Sequence, residues 1–101
     1  MVGPWVVNSA ESLAQAEQAL RTTELDLVIL AFQVWAEDFY LFPLLRALDD
    51  RPLAVWCYLP WTRPPRPASF VEVLRGSGPV GTLEGLGVIR NLGVDFTFTA
   101  G

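Results

Sequence analysis

Histidine and lysine are both missing from this chain, and cysteine occurs once. Without lysine there is no amine for a Schiff base and no P-loop lysine to reach a nucleotide's phosphates. Without histidine, Ser-His-Asp triads, Cys-His dyads and His-ligated metals are excluded. Cys57 has no partner for an internal disulfide, so the sequence gives no sign of an oxidising compartment. Basic side chains are few: 7, all Arg, against 11 acidic ones, for a net charge of −4. That balance argues against non-specific nucleic-acid binding, which depends on a dense basic patch. Long apolar runs are absent too. Residues 27–32 are far too few to span a bilayer. The opening Met-Val-Gly-Pro-Trp lacks the charged and long apolar regions of a signal peptide. The expectation is a cytoplasmic protein with neither nucleic acid nor membrane as a partner.

What is there is apolar. Hydrophobic residues make up 51% of 101 residues, high for a soluble domain, so some of that surface is expected to face a partner. One domain is the expectation for this length. Trp5, Val6 and Val7 read as a short extended segment. Asn8 and Ser9 offer an N-cap, Asn8 with Glu11 fits a capping box, and residues 10–21 follow as a helix with Leu13, Ala16 and Leu20 on one stripe. Residues 25–32 are nearly all apolar, the pattern of a parallel strand covered on both faces. Residues 36–48 read as a second helix, with Glu37 and Asp38 in its first turn and Pro43 inside it. Asp49, Asp50, Arg51 and Pro52 form a stop. Residues 53–59 are a second apolar strand, and residues 60–67 a loop with four prolines. Residues 68–75 fit either a strand, through Val71 and Val73, or a short helix. Residues 82–92 are helical by spacing, Gly93 suits the position after a helix, and residues 94–99 alternate as a strand. This order predicts an α/β, Rossmann-like (flavodoxin-like) three-layer domain with a small, mainly parallel sheet. Three strong strands leave long apolar edges, so the chain is expected to dock onto something or to be part of a longer protein.

Three groups of residues carry possible chemistry. Gly76, Gly78 and Gly81 spell G-x-G-x-x-G ahead of a helix, as in a pyrophosphate cradle. No clear strand precedes them, no acidic residue for a ribose follows the last strand, and Pro79 removes one donor. The plainer reading is a turn into a tightly packed helix. Gln33 and Trp35 end the first strand, and Trp61 ends the second. Ligands of open α/β sheets sit beyond such ends, and an amide with indoles suits a polyhydroxylated ligand. The carboxylates Glu37–Asp38 and Asp49–Asp50 form no acid/base pair or metal set, so no catalytic residues are assigned. The prolines 64, 65 and 67 with Arg66 read as a stiff loop rather than a polyproline ligand.

Asn8-Ser9-Ala10-Glu11, the strand from Leu25 to Leu30, Phe32-Gln33-Val34-Trp35, Arg51-Pro52-Leu53-Ala54-Val55-Trp56, Gly78-Pro79-Val80-Gly81 and Gly93-Val94 together resemble the N-terminal region of the L-fucose/L-arabinose isomerase-like proteins. The resemblance implies a Rossmann-like domain without the catalytic centre, a piece or N-terminal domain of a larger aldose–ketose isomerase. It would pack in a homo-oligomer and help to close a sugar site. It implies a divalent metal, manganese, for the parent protein, held by residues of later domains, with no cofactor in this chain. Its substrate-side loop corresponds to Gln33-Val34-Trp35 and its glycine loop to residues 78–82. With the strand-end Trp61, this gives Gln33, Trp35, Trp61, Gly81 and Thr82 as sugar-rim residues. The alternatives from the residues themselves are a dinucleotide-binding module using Gly76, Gly78 and Gly81, and a purely structural interaction domain.

Overall fold

The computed structural model describes residues 1–34, 38–63 and 65–101. Along the chain run α1 (Ala10–Thr22), β1 (Val28–Phe32), α2 (Asp38–Leu48), β2 (Leu53–Cys57), α3 (Phe70–Arg75), α4 (Gly78–Asn91) and β3 (Thr97–Ala100). The three strands form one parallel sheet in the order β1-β2-β3, with Val28 opposite Leu53 and Val55 opposite Phe98. The domain is therefore α/β and Rossmann-like. Trp5-Val6-Val7 forms no strand and stands outside the sheet.

Local chemistry fixes the helix starts. Of the two offered caps, Ser9 is the one used, because the helix opens at Ala10 and places Ser12 at its third position. Ser9 Oγ accepts the Ser12 amide at 3.1 Å, and Ser12 Oγ accepts the Ser9 amide at 3.0 Å. Glu11, the expected cap partner, is one residue too early. The first expected residues of α2, Ala36 and Glu37, lie outside the described residues. Pro43 sits inside α2 without ending it. The helix stops where Asp49 turns to φ 57, a left-handed conformation that Asp tolerates better than most residues. Arg51 Nη1 then donates to the Ala47 and Leu48 carbonyls, both at 3.2 Å.

Of the ambiguous residues 68–75, Phe70–Arg75 form a helix and Ser69 caps it. Ser69 and Glu72 form a reciprocal capping box, with the Ser69 amide donating to Glu72 Oε2 at 2.7 Å and the Glu72 amide to Ser69 Oγ at 3.3 Å. Hydrogen bonds from the Ser69 hydroxyl and amide hold the Glu72 carboxyl below the usual carboxylate range. That cap outweighs the strand preference of Val71 and Val73. The last helix begins at Gly78, four residues before the expected Thr82. Pro79 falls in its first turn, where a missing N–H costs nothing.

The core is Phe32, Leu41, Leu45, Leu48, Leu53, Val55 and Ile89. Leu41, Leu45 and Leu48 recur at helical spacing, so α2 lays one stripe on the sheet, and α1 packs against α2 through Ala16 and Leu20. Strand β1 was expected to be covered on both faces. Instead it alternates: Phe32 is buried, while Ile29 is 61% exposed. The cause is topological. Successive crossovers of one hand that step the sheet in one direction put their helices on one face. Because the order β1-β2-β3 never reverses, α2 and α4 share that face. The other outer layer of a three-layer domain is not found among the described residues. Among those residues, no helix is long and apolar enough to cross a membrane.

Candidate functional site at the carboxyl ends of the strands

The turn between α3 and α4 packs onto the ends of β1 and β2. A Cβ on Gly78 would lie 2.6 Å from the Tyr58 carbonyl oxygen, 2.9 Å from that of Phe32 and 3.3 Å from that of Gln33. Only glycine lets the helix start come this close. A Cβ on Gly76 would lie 2.7 Å from the Trp61 ring. The same turn thus touches Gln33 on one side and Trp61 on the other. About two helical turns into α4, the Phe32 ring fills the space where a Gly85 side chain would stand.

Gln33 is exposed and Trp61 half-buried, and both flank this turn. Gly81 and Thr82 do not reach it. Both are buried within the first turns of α4. Thr82 is 2% exposed, and its hydroxyl donates to the Gly78 carbonyl at 2.7 Å. The resemblance placed them in a glycine loop at residues 78–82, but those residues are the first turns of α4. Trp35 lies outside the described residues.

The glycine spacing does not form a phosphate cradle. Such a cradle needs helix N–H groups free to face an anion, ahead of which a strand ends. Here α3 precedes the turn, and the Val80 and Gly81 amides donate to the Ser77 carbonyl at 3.0 and 3.2 Å. The space over Gly78 is occupied by the carbonyl oxygens of Phe32, Gln33 and Tyr58, which repel a phosphate. Among the described residues the strand order also shows no reversal, where such domains open a ligand crevice. Among the described residues, no group of three Cys, Asp or Glu side chains could hold a metal ion.

A second surface escaped the sequence reading. On the reverse face of the sheet, Ile29 and Ala31 of β1 stand beside Ala54 and Trp56 of β2 and Thr97 and Thr99 of β3. None is charged. Trp56 donates its indole N–H to the Gly101 carbonyl at 3.1 Å and meets the Tyr58 ring edge-on at 6.0 Å. This fixes a flat aromatic element at the margin of the face. The available signal was the alternation within each strand, hidden because both alternating sets are apolar.

Comparison of the chain with protein-family models, curated proteins and solved structures finds no match.

Proposed function

We propose that this chain is a non-catalytic α/β domain that works by docking the open face of its sheet onto other protein, within a larger or oligomeric assembly of the sugar isomerase-like kind. The observation that carries this reading is Ile29, 61% exposed mid-strand on a face without a charged residue. Parallel sheets normally have both faces covered. An uncharged patch around an exposed isoleucine and a half-buried tryptophan is the usual mark of a contact surface. Ile29→Lys tests it, since that side chain already points into solvent and the fold does not depend on it. The variant is expected to keep the wild-type unfolding midpoint, to bind less anilinonaphthalene sulfonate, and to stay soluble at higher concentration. Equal dye binding and equal solubility in the two proteins would count against the docking face.

A second reading concerns the rim, where exposed Gln33 and half-buried Trp61 both flank the turn between α3 and α4. Gln33 would hydrogen-bond a sugar hydroxyl while the indole packs on the sugar's apolar face. Titration of L-fucose and L-arabinose, followed by tryptophan fluorescence, is expected to give a saturable change that Gln33→Ala weakens. An identical response from the variant removes Gln33 from the site.

A further inference from the structure

Away from the sheet, α1 and α2 border an open cleft of about 460 Å³ lined by Glu17, Arg21, Phe39, Phe42, Pro43 and Arg46. On α2, the lining residues recur three and four positions apart and so share one face, while Leu41, Leu45 and Leu48 turn into the core. The rings of Phe39 and Phe42 remain 55% and 40% exposed. On α1, Glu17 and Arg21 are one turn apart and pair at 3.5 Å. That pair leaves Arg46 as the lining cation without a carboxylate partner among the described residues. Two guanidinium groups against one carboxylate make the cleft positive, in a chain whose net charge is −4.

We infer that this cleft binds a small aromatic carboxylate. A guanidinium fork matches a carboxylate with two parallel hydrogen bonds, a geometry Arg46 is free to offer. Exposed phenylalanine rings beside it give an aromatic ligand offset or edge-on contacts. The volume lies within the range of about 300–1,000 Å³ common to small-molecule sites. Charge fixes the ligand's sign and the rings fix its apolar part, so neither a cation nor a simple inorganic anion satisfies both. This site shares no residue with the open sheet face, and its fate is independent of the docking reading.

Naphthoate titrated into the whole chain and followed by amide NMR tests the assignment. Saturable shifts confined to α1 and α2 are expected, with a dissociation constant on the order of 1 mM for a fragment-sized ligand on an open surface. Arg46→Gln is expected to weaken binding roughly tenfold, and naphthalenemethanol, which keeps the ring but not the charge, to bind as weakly as the variant binds naphthoate. Phe39→Ala, at an exposed position, is expected to weaken it through the ring. Absence of saturation, shifts elsewhere on the chain, undiminished binding by Arg46→Gln, or equal affinity for the neutral compound would each overturn the proposal. An unchanged thermal midpoint for both variants shows that any loss is not unfolding.

Discussion

Gly78→Ala will destabilise the domain by about 1–3 kcal/mol, the range for forcing extra volume into a packed site. The added Cβ meets two carbonyl oxygens, Tyr58 at 2.6 Å and Phe32 at 2.9 Å, and both belong to backbone. A side chain in that position could rotate away; a carbonyl at a strand end cannot. Relief requires α4 to lift from the sheet or the ends of β1 and β2 to part. The second route strains the bond from the Tyr58 amide to the Phe32 carbonyl, 3.4 Å long and already near its limit. The first pulls Gly85 off the Phe32 ring and exposes the core's edge. Gly87→Ala in the same helix is the control. A Cβ there meets nothing within 4 Å, so alanine only improves helix propensity, by about 0.5–1 kcal/mol. Urea unfolding followed by tryptophan fluorescence should therefore rank Gly87→Ala above wild type and wild type above Gly78→Ala. Equal midpoints for Gly78→Ala and wild type would falsify the close packing of this turn.

That turn also shows where the residues spoke plainly and where they misled. The alternation of helix with apolar strand was legible, because Leu41, Leu45 and Leu48 hold helical spacing and the two apolar strands are bounded by polar or proline-rich stretches. The parallel sheet followed from that order. The start of α4 was not legible. Gly78, Gly81 and Gly85 look like loop by propensity, yet they are glycines because strand ends and the Phe32 ring come too close for a Cβ at Gly78 and Gly85. Tertiary contact, which no local pattern encodes, decides those positions. Gly81 and Thr82, named through the glycine loop of the resemblance, fall in that same helical start and are buried. Ser69 and Glu72 present the opposite case. Their three-residue spacing is a helix signal, masked by the neighbouring valines. The open sheet face was hidden for a further reason. Ile29 and Leu30 are equally apolar, so burial on one side only cannot be read from residue type.

Ile89→Ala should cost more than any surface change on the same helix, about 2–5 kcal/mol. Ile89 is 0% exposed and is the residue through which α4 enters the seven-member core between α2 and the sheet. Removing its outer carbons leaves a cavity that neighbours on three different elements would have to close together. Leu83 provides the contrast, because it stands on the same helix 73% exposed, and Leu83→Ala is expected to stay within about 0.5 kcal/mol of wild type. For a domain with the usual total of about 5–15 kcal/mol, the core substitution removes a large share of all stability. Its effect should not remain in the core. The helix that Ile89 anchors also carries the turn against Gln33 and Trp61, so weaker anchoring frees the rim before the chain unfolds globally. Hydrogen exchange should therefore quicken at the amides of residues 80 and 81 in Ile89→Ala, while those of α1 change less. If both substitutions cost the same, α4 is not docked through Ile89, and the rim owes its geometry to the turn alone.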